Sequence, residues 1–88
     1  MDRLAAMKVF DAIAKAGSFT TAARNLQLSP SVVTRSIAQL EKELDITLIA
    51  RTTRSLRLTE RGQIYLESCR QILQDVDTAD RSVRPQRS

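Results

Sequence analysis

Four arginines, Arg51, Arg54, Arg57 and Arg61, crowd into one short segment of the chain and meet a single acidic side chain, Glu60. A guanidinium presents a planar fork of N–H donors that fits a phosphate or carboxylate bidentately, so this density of forks suits an anionic partner. Charges before and after the segment nearly cancel, and the net charge of +4 therefore sits almost wholly within it. Seen alone, the cluster fits a solvated charged loop equally well. A second group of hydrogen-bonding side chains, Ser29, Ser31, Thr34 and Arg35, lies upstream. It joins hydroxyls to one guanidinium, a set that can meet phosphate oxygens or base edges. Other chemistries lack their residues. There is no His and one Cys, Cys69, which excludes a zinc cluster, a disulfide framework and any His-dependent triad. With two glycines there is no Gly-rich phosphate loop either.

The elements that must position these residues fit in one domain, because 88 residues leave no length for a second. Hydrophobic residues make up 42 % and charged residues 27 %, as in ordinary soluble globular chains. Phe10, Phe19 and Tyr65 are the only aromatic residues, which argues against a sheet that stacks bases on exposed rings. No apolar run approaches the roughly 18 residues of a membrane span, and the N-terminus lacks a signal-peptide pattern. The expected location is the cytoplasm, with no membrane partner and no cofactor.

Hydrophobic spacing predicts four helices and a hairpin. Met7, Phe10, Ile13 and Ala14 form one apolar stripe on a first helix from Leu4 to Ala16, which Gly17 stops. Ser18 caps a short second helix ending near Leu26, with Ala22, Ala23 and Leu26 inward and small enough for another helix to approach. Ser29-Pro30 opens a third helix to about Leu44, since proline at the first helical position forfeits only a donor that would be unpaired anyway. Two helices separated by so short a turn have helix-turn-helix spacing.

On the third helix Val33, Ile37, Leu40 and Leu44 make the core stripe, and Ser31, Arg35 and Ala38 lie opposite, flanked by Val32 and Thr34. A face of small residues carrying one arginine is what a major groove admits. A plain amphipathic helix with a short polar face fits the same pattern. Residues 48–58 then read as two short strands, with Leu56-Arg57-Leu58 alternating. A basic hairpin directly after a helix-turn-helix makes a winged arrangement, whose arginines can straddle a backbone or enter a minor groove.

Thr59 caps the last helix, expected to reach about Asp80, and Gly62, Tyr65, Leu66, Cys69, Leu73 and Val76 form an apolar seam along it. A seam extending beyond a small core predicts a partner, most simply a second copy, with Tyr65, Leu66, Cys69, Leu73 and Val76 as the dimer interface. Cys69 reads as a small seam residue rather than a nucleophile. The fold class is mainly α: a winged helix-turn-helix of three helices and a two-stranded wing, followed by a long linker or dimerisation helix. The expected divisions are 1–58 for the winged unit, 59–80 for the linker helix and 81–88 for a disordered tail.

Ala-Gly-Ser-Phe-Thr-Thr-Ala-Ala (16–23), Leu-Ser-Pro-Ser-Val-Val-Thr-Arg-Ser-Ile (28–37), Leu40-Glu41 and Leu-Ile-Ala-Arg-Thr-Thr-Arg-Ser-Leu-Arg-Leu-Thr-Glu-Arg-Gly (48–62), in this order and spacing, strongly resemble the DNA-binding domain of LysR-type transcriptional regulators. The resemblance covers about residues 3–80. It implies sequence-specific binding of double-stranded DNA, at an interrupted inverted repeat, by a homodimer joined through the linker helix. It also implies a C-terminal effector-binding domain in full-length members, so that this chain looks like an excised fragment whose small-molecule effector would act through the absent part. Carried over residue by residue, the recognition-helix contacts fall on Ser29, Pro30, Ser31, Thr34 and Arg35. The wing contacts fall on Arg51 and Arg54, with Arg54 at the minor groove, and Ser18 and Thr20 meet phosphate. The chain departs from the family in three places. Pro30-Ser31 replaces a frequent Gln-Pro, Asp45 a frequent glycine, and Ile49 a frequent phenylalanine.

Two rival readings are a winged-helix module that binds only protein, and a small enzyme. The arginine cluster and the small-residue face weigh against the first. The second lacks His, metal-ligand spacing and any carboxylate pair.

Overall fold

In the computed structural model, residues 2–52 and 55–85 are described. The elements run α1 (Arg3–Ala16), α2 (Phe19–Leu26), α3 (Pro30–Leu44), β1 (Ile49–Arg51), β2 (Leu56–Leu58) and α4 (Glu60–Val83). Each helix begins on a side chain that accepts from an otherwise unpaired backbone N–H: Asp2 for α1, Ser18 for α2, Ser29 for α3 and Thr59 for α4. The first three end on left-handed residues, Gly17 (φ 70°), Gln27 (φ 59°) and Asp45 (φ 56°). Gly17 acts as the sequence predicts, and Asp45 takes the left-handed place where it stands for a frequent glycine. Gln27 is unforeseen, because a glutamine carries no signal for that conformation; its N–H reaches the Ala23 and Arg24 carbonyls and Leu28 N–H reaches Ala23 at 2.9 Å, which satisfies the end of α2.

Phe10 and Ile13 of α1, Val33, Ile37 and Leu40 of α3, and Leu48 before β1 are all but fully enclosed, and Ala22 and Ala23 let α2 close on them. Ser36 joins the buried side of α3. The hairpin is antiparallel, pairing Ile49 with Leu58, Ala50 with Arg57 and Arg51 with Leu56. Strand geometry therefore puts Arg51 on the same side as buried Ile49, and Arg57 on the other.

Two expectations about α4 change. The seam read as a dimer face lies against α1 of its own chain. Leu66 is 4 % exposed and Cys69 0 %, Tyr65 and Leu73 pack on the same core, and the Phe10 and Tyr65 rings sit 6.0 Å apart. Arg70 Nε donates to Asp11 Oδ1 at 2.8 Å beside them, tying α4 to α1. Three short helices do not offer enough apolar surface to cover Phe10, and α4 supplies the missing wall with Tyr65. Tyr65, Leu66 and Cys69 are thus core residues of one chain, whereas Leu73 and Val76 remain partly open. The large apolar side chains α4 does expose are Ile64 (62 %), Ile72 (38 %) and Val83. The second change is length: the helix continues through residues 81–83, placed in the expected tail, and residues 86–88 lie outside the described ones. The protruding end of α4 stretches the molecule to 50 Å against 25 and 20 Å across.

Candidate nucleic-acid interface

α3 is gripped on one side and bare on the other. Val33, Ile37 and Leu40 anchor it in the core, while Pro30, Ser31, Arg35 and Ala38 are exposed and Thr34 is half-buried. Ser29 Oγ accepts from Val32 N–H at 3.3 Å and lies 3.3 Å from Ser31 Oγ, so both hydroxyls stand together at the start of the helix. Four backbone N–H groups and a partial positive charge gather at such a start, which suits phosphate. Pro30 has no N–H, and Val32 and Val33 N–H already donate to Ser29, so an anion here would meet the two hydroxyls and the helix charge rather than a set of open donors.

Arg35 rises one turn further on. It borders a cleft of about 460 Å³ between α1 and α3, shared with Arg3, Val32, Gln39 and Glu43. Sequence reasoning missed Arg3, whose guanidinium pairs with Glu43 at 3.0 Å. Glu43 also accepts from Gln39 at 3.1 Å, and the two contacts hold its carboxyl below the ordinary range. Glu43 thereby pairs the charge of Arg3; no such ion pair engages Arg35 among the described residues.

At the start of α2, Ser18 Oγ accepts from Thr21 N–H at 3.2 Å and Thr20 is exposed. Arg51 comes to the same place from the wing: its guanidinium carbon lies 4.4 Å from the centroid of the Phe19 ring. The structure thereby brings Arg51 beside two of the residues expected to meet phosphate. It does not do the same for Arg57, which points away on the outer face. Arg54 lies outside the described residues, which bracket it by bonds between Thr52 and Ser55 at 2.9 and 3.0 Å.

The wing is fastened at its base by contacts that sequence reasoning did not foresee. Glu41 carries a carboxylate oxygen that accepts from Leu48 N–H at 2.7 Å and Ile49 N–H at 3.2 Å. Thr59 Oγ1 donates to the Thr47 carbonyl at 2.6 Å, and Thr59 N–H donates to Leu48 O at 2.9 Å. Gly62 lets α4 press against that Leu48 carbonyl, where any β-carbon would collide. Burial pushes the Cys69 thiol up to about 11, which makes it inert as a nucleophile. Among the described residues there is no metal-ligating cluster, and no helix is long and apolar enough to cross a membrane.

Comparison with known proteins agrees with this geometry. Residues 4–63 match the family described as bacterial regulatory helix-turn-helix protein, lysR family. The HTH-type transcriptional activator AaeR of Escherichia coli K12 is 47 % identical over 86 % of the chain. The chain spans about a quarter of that relative's length (25 %). Among solved structures, the CbnR_DBD–DNA complex superposes with a TM-score of 0.83 at 36 % identity, covering 93 % of this chain and 94 % of that one. The BenM_DBD complex with benA site 1 DNA gives 0.88 at 30 % identity, covering 93 % and 91 %. Sequence and shape agree over the same span, and the chain belongs to the lysR family of bacterial regulatory helix-turn-helix proteins, as a DNA-binding domain.

Proposed function

We propose that the chain reads specific double-stranded DNA as a homodimer, with α3 in the major groove and the wing on the flanking backbone. One observation carries this reading. α3 is locked in the core along one face and leaves a polar, small-residue face open at its N-terminal end, with Arg35 in its midst. A rigid helix with low relief can approach base edges closely, and a guanidinium there can take guanine O6 and N7 together. Ser29, Pro30, Ser31 and Thr34 set its register against phosphate and base edges, Ser18, Thr20 and Arg51 hold backbone, and Arg54 reaches the minor groove. No cofactor is needed for these contacts, and the cytoplasm is where a bacterial chromosome offers them. An effector would act through a further domain of a full-length regulator.

The second copy is taken by the flank of α4 that α1 leaves open. At 100° per residue Ile64, Ile72, Val76 and Val83 fall within about 120°. Tyr65 shares that sector but packs on Phe10, so the open part of the flank runs from Ile72 onward, with Leu73 at the border of the buried side. Pairing this flank across a two-fold axis presents two copies of α3 to one duplex. Selection of bound duplexes from a random pool tests the reading. An interrupted inverted repeat is the expected product; a pool that stays random, or that yields single half-sites, overturns it.

A further inference from the structure

Phe19 is half-buried at the first position of α2, with part of its ring against the core and part open to the wing. Arg51 is the last residue of β1 on the side facing the domain, and its guanidinium sits over that ring at 4.4 Å. Among the described residues no carboxylate pairs with Arg51. Stacking occupies only the flat face of a guanidinium, and the N–H donors lie in its plane, so a stacked arginine is held still with its donors still free. An arginine on a strand end without that support would sample many rotamers and lose conformational freedom on meeting an anion.

We infer that Phe19 is a positioning residue for DNA binding: its ring holds the Arg51 guanidinium at the start of α2, with the in-plane donors turned to a DNA phosphate. The inference rests on the DNA-binding reading above and adds to it a residue that touches no DNA itself. Ser18 and Thr20 flank Phe19 in sequence, so the same phosphate-facing corner holds their hydroxyls. The ring thereby ties the end of β1 to the start of α2, a second link beside the Glu41 carboxylate that fastens the base of the wing to α3.

Binding of the whole chain to a random-sequence duplex, titrated with salt, tests this. Each phosphate contact contributes about 0.9 to the slope of log affinity against log salt. Arg51→Gln should lower that slope by roughly this amount and weaken binding about three- to tenfold. Phe19→Leu, which keeps an apolar side chain on the core, should produce most of the same loss, and Phe19→Tyr should restore it. In the Arg51→Gln background Phe19→Leu should add nothing. Multiplying losses, or an unchanged slope in Phe19→Leu, would overturn the inference. A measurement on the wild type covers the case in which Phe19→Leu does not fold. Side-chain NMR resonances of Arg51 should show an upfield ring-current shift in the free protein and keep it on the duplex. Loss of that shift when DNA binds means that the arginine leaves the ring, and the inference fails. If the wild type shows the shift but binds no duplex at any salt, the stack is real and the DNA-binding reading is what fails.

Discussion

The Glu41 carboxylate, from the last turn of α3, holds the backbone N–H of Leu48 at 2.7 Å, and the same oxygen takes Ile49 N–H at 3.2 Å. One side chain of α3 therefore fixes where the wing begins. The two N–H groups belong to buried residues at the entry to β1, in part-buried bonds where water is a poor substitute for the lost acceptor. Glu41→Ala should cost about 2–3 kcal/mol, because both donors stay buried without a partner. For a chain of this size that lowers the thermal midpoint by roughly 10 °C or more. A melting curve within about 2 °C of the wild type would show that the two donors find other acceptors.

Gly62→Ala sets two effects against each other. Alanine is the better helix former by about 1 kcal/mol in an exposed helix interior. At this position, though, its methyl runs into the Leu48 carbonyl oxygen, which already accepts from Thr59 N–H at 2.9 Å. Backbone cannot give way as a flexible side chain can, and overpacking of this kind costs about 1–3 kcal/mol or more. The variant should thus unfold at lower urea than the wild type. A higher urea midpoint would mean that α4 slides off the wing base at no cost.

Asp11 should make stability depend on acid. Burial alone would raise its carboxyl, but hydrogen bonds from Arg70 and Lys15 outweigh burial and hold it below the ordinary 3.8. A carboxyl depressed in the folded state stabilises fully above its unfolded value, and the contribution fades as pH falls through the lower folded value. The gap in stability between wild type and Asp11→Asn should hold steady above about pH 5 and shrink below about pH 4. Denaturant melts of both proteins across that range supply the check, and a gap that widens on acidification would reverse the sign. Since Arg70 sits on α4, the same titration reports how firmly the linker helix is tied to α1.

Helix limits were the most legible part of this chain, because caps are local: Ser18, Ser29-Pro30, Thr59, Gly17 and Asp45 act through neighbours three or four residues away. Long-range partnerships were not legible. Tyr65, Leu66 and Cys69 announce an apolar face by their spacing, yet spacing says nothing of which surface covers it, and α1 covers it here. Glu41 reads in one dimension as any solvated acid of a helix end, and Phe19 as one more core aromatic. Their roles appear only once the wing folds back on α2 and α3. Of the expected DNA contacts, Ser29, Pro30, Ser31, Arg35, Thr20 and Arg51 are exposed, Thr34 is half-buried, Ser18 is engaged as the cap of α2, and Arg54 lies outside the described residues.

Arg35→Ala should cost about 1–3 kcal/mol of specific binding if the guanidinium reads a base, and should relax preference at that base. The side chain is exposed and outside the core, so the variant should melt like the wild type. Affinity measured at fixed salt on the selected duplex decides the matter. An equal loss on every sequence would reduce Arg35 to a phosphate contact, and no loss would remove it from the interface.

Ile72→Glu should break the dimer without breaking the fold. Ile72 is 38 % exposed on the flank of α4 that α1 leaves open, so a carboxylate there meets water in a single chain. Across a two-fold interface the same change places two carboxylates in an apolar contact, which costs several kcal/mol unless they protonate or escape. The core residues of α4 sit on the neighbouring face, Leu66 at 4 % and Cys69 at 0 % exposure, and are untouched by the change. The variant should therefore sediment as a folded monomer, lose most of its affinity for an inverted repeat, and keep weak binding to random duplex through its arginines. Gln74→Glu adds the same charge to exposed surface on the polar side of α4 and should leave the dimer intact. If Ile72→Glu stays dimeric with unchanged affinity for the repeat, the open flank of α4 is not where two copies meet.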